Sequence, residues 1–422
     1  MRILVVGSGG REHALCHAFS KSRDVEKIFC ANGNAGIAEI AECVPIKHDQ
    51  IAELADFAER ENIDLTFPGG ETPLALGIVD EFEKRGLRIV GASRAAAELE
   101  ASKAFAKDFM ARHGVPTAKY RTANSVNDAV AILGSGEFGD ESSPVVVKAD
   151  GLAAGKGVVV AKDRAEAVAA IKGMADVTGA AAAEKIVLEE CLFGREVSLI
   201  MFADGEHFSL MPPTRDHKRI GDGDTGPNTG GMGTITDSSL LSQIQTNEIV
   251  ENIIKPTLRG CVQDGFPFRG ILFLGLMMTE YGAKVLEYNV RFGDPETQAI
   301  LVRLKTDLSD ICEAMLAGRL SDLDIQWETG NTACVILASE GYPLKPRTGD
   351  IISGLGTALA HDNVVVFHSG TAFKDGDLVT AGGRVLGVTA KGQSLNGALE
   401  TAYAAVGNIS WKGMQYRKDI GK

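Results

Sequence analysis

Residues 145–160 read V-V-V-K-A-D-G-L-A-A-G-K-G-V-V-V. Two β-branched runs flank a loop that holds three glycines and Lys156, and Lys148 closes the first run. The pattern predicts a β-hairpin whose glycine loop lies over phosphates. Glycine lets backbone N–H groups approach phosphate oxygens and permits φ > 0. Lysine supplies a compact charge for the same oxygens. The stretch is not a P-loop: Gly151 to Gly155–Lys156 is one residue too short, and Gly157 stands where Ser or Thr is needed. A strand follows it, not a helix. Read alone, an ordinary Gly-rich turn explains it equally well, because glycine punctuates turns generally.

Residues 284–298, K-V-L-E-Y-N-V-R-F-G-D-P-E-T-Q, decide between these readings. They begin as a strand in which Glu287, Asn289 and Arg291 share one face, since strand side chains repeat every second residue. A carboxylate and an amide oxygen together are hard ligands suited to Mg2+ on phosphates. Asp294 and Glu296 follow in a Gly-Asp-Pro turn. A solvated strand face with a charged turn is the bland reading, and the apolar strand argues against it.

Together the two stretches resemble the ATP-grasp fold. The rest of the chain narrows the likeness to the phosphoribosylamine–glycine ligase (glycinamide ribonucleotide synthetase) family. The residues that carry it are G-S-G-G-R-E-H-A at 7–14, N-G-N-A-G at 32–36, S-K-A-F-A-K-D-F at 102–109 and K-A-D-G-L-A-A-G-K-G at 148–157. Further on stand D-H-K-R at 216–219, D-T-G-P-N-T-G-G-M-G at 224–233, R-F-G-D-P-E-T-Q at 291–298 and R-K-D-I-G at 417–421. They run from one end of the chain to the other.

The chain's 422 residues exceed one ordinary core and suggest two to four domains. Its 43 basic and 56 acidic residues give a net charge of −13, which argues against nucleic acid and anionic membranes. The seven cysteines are scattered without C-x-x-C pairs, which fits neither a zinc site nor a disulfide framework and points to the reducing cytoplasm. No segment approaches the ~18 apolar residues of a membrane span.

Strands are expected at 2–6, 27–30, 65–67 and 88–90, with helices at 11–20, 50–60 and 74–85. That alternation means a doubly wound parallel sheet with ligands at the C-terminal strand ends. Gly7-x-Gly9 begins a dinucleotide fingerprint, but Glu12 replaces the third glycine, and a single phosphate at the helix N-terminus is the better reading. Residues 118–187 read as a small α/β lid, and 212–233 as a polar loop. His13 and His17, four apart on the first helix, are taken as packing or surface residues for want of a third metal ligand. The expected architecture is α/β: an N-terminal doubly wound parallel sheet, ATP-grasp lid and central α+β domains, and a small β-rich C-terminal domain. The boundaries are 1–102, 103–117 with 190–327, 118–189 for the lid, and 328–422.

The resemblance implies that glycine is activated by ATP as glycyl phosphate and captured by 5-phosphoribosylamine. It implies Lys103 and Lys148 on the nucleotide phosphates, with Gly151, Gly155, Lys156 and Gly157 in the loop above them. Glu189, Glu190 and Leu192 form the adenine hinge, and Glu196 takes the ribose. Glu287 and Asn289 bind Mg2+, with Mn2+ as the alternative. Asp216, Lys218 and Arg291 are the catalytic candidates. Asn228, Gly230 and Asp294 bind substrate, while Gly9, Gly10, Glu12 and Glu71 hold the phosphoribosyl group. The family commonly has Gly-Pro-Glu where this chain has Gly69-Gly70-Glu71, which loosens a turn. The partners expected are these small molecules, with the protein a monomer or at most a weak dimer. Another ATP-grasp ligase and a nucleotide-binding regulatory module are the alternatives; the first is separated by glycine-dependent ADP release, the second by turnover itself.

Overall fold

The computed structural model describes residues 1–151, 157–178 and 184–422. The strand Arg2–Gly7 is apolar enough to be buried throughout its middle and takes the centre of a four-stranded sheet. Lys27–Asn32 and Leu65–Pro68 pair with it in parallel, and Glu42–Val44 forms the outer edge. The strand expected at 88–90 shrinks to one bridge, Thr66 to Ile89. The helix expected at 74–85 is two helices, Glu71–Ala75 and Ile78–Lys84, broken at Gly77, whose φ is +86°.

The lid is an antiparallel sheet ordered Tyr120–Ala123, Ile186–Glu190, Val145–Ala149, Val158–Ala161. Helices Val126–Gly134 and Arg164–Thr178 cover it. Its core, including Leu133, Val145, Val147, Ile171, Ile186 and Leu188, is separate from the others.

The largest sheet has nine strands. Gly282–Asn289 is its edge, followed by Arg269–Thr279, Arg195–Asp204, Thr214–Asp216 and Gly233–Thr236. It continues without a break into Asn331–Ala338, Arg384–Gly392 and Val364–His368, so the C-terminal strands extend the central sheet. The expected polar loop at 212–233 is in fact pleated. Thr214–Asp216 belongs to the large sheet, while Arg219–Gly221 and Thr225–Asn228 form a hairpin of their own. Such short, glycine- and aspartate-rich strands carry no readable period. Apolar residues of the N-terminal sheet and the central strands share cores, among them Leu4, Val6 and Phe29 with Leu272 and Leu274.

All seven cysteines are free. Among the described residues no helix is long and apolar enough to cross a membrane.

Candidate active site

The C-terminal end of strand Gly282–Asn289 is where the pieces converge. Glu287 Oε1 lies 3.5 Å from Lys218 Nζ, and both side chains stay more than a third exposed, 38% and 44%. The pair therefore lines an open cleft, and water screens it. Lys218 first, then Lys148, Lys103 and Arg291, outweigh burial and hold the Glu287 carboxyl at about 2. Glu287 answers by raising Lys218, with Glu196 and Asp216 adding to it. Four cations thus converge on one carboxylate in a protein of net charge −13.

Asn289 Oδ1 accepts a hydrogen bond from Arg291 Nη2 at 3.0 Å. Arg291 is held from behind by two carboxylates, Glu71 Oε2 at 3.1 Å and Glu100 Oε1 at 2.7 Å. Burial would raise Glu71, yet Arg291 and Arg11 bring it down to about 2. For Glu100 burial wins and lifts the carboxyl to about 7 against the pull of Arg291. Arg291 is thus fixed in direction before any ligand arrives.

Asp216 and Glu296 face the same space. Burial pushes Asp216 well up and Glu296 adds to it; burial also raises Glu296. Asp294 accepts from Gln298 Nε2 at 2.8 Å and pairs with Arg384 Nη2 at 2.9 Å. Arg384 Nη1 also donates to Gly230 O at 2.6 Å and Asp294 O at 2.8 Å, tying the 230 loop to the 294 turn. Gly9 comes close to Asp294: a Cβ on it would lie 3.5 Å from Asp294 Oδ2. A Cβ on Gly10 would instead meet Gln298 and Ser369.

Among the residues expected to bind the nucleotide, Lys103 Nζ donates to Gly151 O at 2.8 Å, and Gly151 has φ +98°. Burial lowers Lys103. Gly157 is described and buried, whereas Gly155 and Lys156 lie outside the described residues. Glu189 turns its side chain inward, between Lys107 Nζ at 2.8 Å and Lys148 Nζ at 2.7 Å, so it is no solvated strand end. Glu190 accepts from Lys119 N at 2.9 Å and Lys284 Nζ at 3.2 Å. Leu192 is half-buried beside it, and Glu196 is exposed on the neighbouring strand. Asn228 pairs across its hairpin with Arg219.

Glu12 is not on the cleft surface. It is 2% exposed, accepting from Gly9 N at 2.6 Å and Arg11 Nε at 2.7 Å. A Cβ at Gly7 or Gly69 would strike its side chain at 2.5 and 2.1 Å. The glycines of the first turn therefore make room for this buried carboxylate. Gly70 precedes the helix of Glu71 with φ −101° and ψ 167°.

Three stretches match one family in order: residues 1–100 the N domain, 101–297 the ATP-grasp (A) domain and 332–422 the C domain of phosphoribosylglycinamide synthetase. The chain belongs to the phosphoribosylglycinamide synthetase family. A phosphoribosylamine–glycine ligase of Caldanaerobacter subterraneus is 46% identical, with 100% of this chain and 99% of that one covered. One from Pseudomonas aeruginosa is 47% identical, covering 100% and 97%. The crystal structure of the Thermotoga maritima phosphoribosylamine–glycine ligase superposes with a TM-score of 0.85 at 31% identity, over 100% of both chains.

Of the two residues expected to hold a divalent cation, Glu287 stands in the open cleft and Asn289 accepts from Arg291. Among the described residues no group of three His, Cys, Asp or Glu side chains forms a closed cage. A carboxylate and an amide oxygen are hard donors of the kind a Mg2+-like ion takes together with phosphate and water, and the lysines and Arg291 around them suit the phosphates rather than the cation. Sequence reasoning missed Glu100, Arg384 and Lys107 as site components. Lys107 was visible in the helix it shares with Lys103, but nothing marked its partner. Glu100 and Arg384 have no local signal, because each acts on a residue far away in the chain.

Proposed function

We propose that this chain joins glycine to 5-phosphoribosylamine with cleavage of ATP to ADP and phosphate, giving glycinamide ribonucleotide. The observation that carries the reading is the cluster of Glu287, Asn289, Arg291 and Lys218 at one strand end, within a chain whose ATP-grasp relatives use ATP and a divalent metal. A carboxylate is a poor acyl donor until an oxygen is phosphorylated, and ATP does that. Lys103 and Lys148 bind the nucleotide phosphates, while backbone groups from Glu189 to Leu192 hold adenine and Glu196 the ribose. Glu287 and Asn289 hold Mg2+ or Mn2+, which would neutralise phosphate charge. Lys218 and Arg291 carry fixed positive charge to the transferring phosphoryl group and the glycine carboxylate. Positioned charge of this kind supplies most of the catalysis in phosphoryl transfer. Asp216, Asn228 and Gly230 border glycine; Gly9, Gly10, Glu71 and Asp294 border the phosphoribosyl group, with Glu12 shaping the turn beneath. We take the protein to act in the cytoplasm as a monomer or weak dimer.

The test follows oxygen. With glycine labelled with ¹⁸O in its carboxyl group, turnover requiring both glycine and 5-phosphoribosylamine transfers label to released phosphate. Unlabelled phosphate from a competent turnover overturns the acyl phosphate route. ADP release that ignores glycine points to a different ligase.

A further inference from the structure

The motif R-K-D-I-G at 417–421 has no part in the chemistry above, yet Arg417 is only 2% exposed. All three nitrogens of its guanidinium donate hydrogen bonds. Nε and Nη2 grip the two oxygens of Asp419 at 2.8 Å each. Nη1 donates to Asp224 Oδ1 at 2.6 Å and to Arg219 O at 3.2 Å. Asp224 and Arg219 lie in the hairpin that carries Lys218 at its base. Asp419 in turn accepts from Gly223 N at 2.8 Å, and Lys418 N donates to Asp222 Oδ1 at 2.7 Å.

The tail also holds the hairpin's root. Gly421 N donates to His217 Nε2 at 3.1 Å, while His217 Nδ1 faces Gly233 O at 3.1 Å. These partners place the ring hydrogen on Nδ1 and leave Nε2 as acceptor. Arg215 Nη2 donates to Lys422 O at 2.7 Å. The tail itself is anchored: Tyr403 OH donates to Arg417 O at 2.9 Å and accepts from Ile420 N at 3.1 Å, and Ile420 is buried in the C-terminal core.

The hairpin needs such support. Arg219–Gly221 and Thr225–Asn228 pair only with each other, and residues 222–227 are exposed. A two-stranded hairpin with nothing to bury is marginal in water. Its position nevertheless sets where Lys218 and Asn228 stand, and Lys218 must face Glu287.

We propose that the C-terminal segment Arg417–Lys422 is a strap that positions the substrate hairpin, with Arg417 and Asp419 as positioning residues for Lys218 and Asn228. The reading of kinetics rests on the function proposed above; the reading of exchange does not. Asp224→Asn, at an exposed position, tests the strap without touching the core. Arg417→Lys keeps the charge and loses the planar fork.

Hydrogen exchange of peptides spanning 217–230 should speed up in both variants without substrates present, while the sheet strands at 331–338 and 384–392 stay protected. Turnover per KM for glycine or the amine should fall about tenfold or more, because small misplacements of a positioning group cost that much. The KM for ATP should change less than those for glycine and the amine, since Lys103 and Lys148, which take most of the nucleotide's phosphates, lie outside the hairpin. Unchanged exchange at 217–230 in both variants overturns the strap. So does a loss in Asp224→Asn that falls equally on all three substrates. A wild-type protein without glycine-dependent ADP release would refute the proposed function, and the exchange result would still decide the strap.

Discussion

Glu287 is the residue on which most of the cleft's charge is focused. Lys218, Lys148, Lys103 and Arg291 all act on it. Its side chain is 38% exposed, so its interactions stabilise the fold little and its replacement is not a folding lesion. Glu287→Gln should therefore leave the melting temperature close to wild type and cut turnover by an amount worth about 2–4 kcal/mol, the range for a lost electrostatic stabiliser. A variant with near-normal turnover at moderate Mg2+ would remove Glu287 from the metal site. That Glu287 and Asn289 share a face followed from strand period, whereas the strand ends at Asn289 and Arg291 reaches back to it from the bend beyond. What holds Arg291 did not follow from it. Glu71, expected on the amine substrate, also pairs with Arg291 at 3.1 Å, and Glu100 completes the clamp from another helix. A residue whose task is to aim another one leaves no mark in its own neighbourhood of sequence.

At the scale of elements, the lid is joined to the central sheet by a buried cluster rather than by apolar packing alone. Glu189 from the lid sits between Lys148 of the lid and Lys107 of the helix Lys103–Arg112. Lys148 Nζ is near Glu189 Oε1 but poorly aligned, since that oxygen has no hydrogen-bond partner. Its better bond goes to Leu286 O at 3.1 Å, on the strand of Glu287. Lys107 also donates to Thr117 Oγ1 at 2.7 Å, which donates to Val285 O at 2.7 Å. The lone anion among two cations is the vulnerable member. Glu189→Gln strands two buried ammonium groups and should cost about 3–5 kcal/mol, the range for breaking a buried pair. Lys107→Met leaves a neutral Lys148–Glu189 pair and should cost less. Urea unfolding of both variants checks the order, and a larger loss in Lys107→Met would show that Glu189 is not the hub. The lid's strands and helices were legible because their apolar runs are long and bounded by turn residues. The pleated stretch from 214 to 233 was not, because its pairing depends on strands elsewhere in the large sheet and on the tail.

Over the whole molecule, the first helix packs against Val364–His368, the far edge strand of the large sheet, and histidines line the seam. His368 N donates to His13 Nδ1 at 2.8 Å, and Phe367 stands edge-on to the rings of both His13 and His17. Asn34 Nδ2 bridges Ser8 O and His368 O at 2.9 and 2.8 Å, which fixes the first turn against the C-terminal strands. The seam therefore sets the distance between Gly9 on one side and Asp294 with Arg384 on the other. Burial lowers all three histidines, His13 to about 3 and His17 and His368 to about 4, so they are neutral in the fold. A depressed pKa gives stability that is complete above the unfolded value of 6.5 and is lost as pH falls toward the folded one. Glu100, Asp216 and Glu296 are raised by burial and work in the opposite sense, so the wild-type curve mixes the two. The difference between wild type and His13→Asn isolates one histidine, because Asn offers an acceptor in place of Nδ1 and does not titrate. That difference in unfolding free energy should fall from pH 7 to pH 5 by an amount on the order of 2 kcal/mol, following 1.36 kcal/mol for each pH unit below 6.5. A difference that stays constant over this range would mean that His13 is open to protons in the folded protein, and the seam between the first helix and the strand Val364–His368 would have to be looser than its buried contacts require.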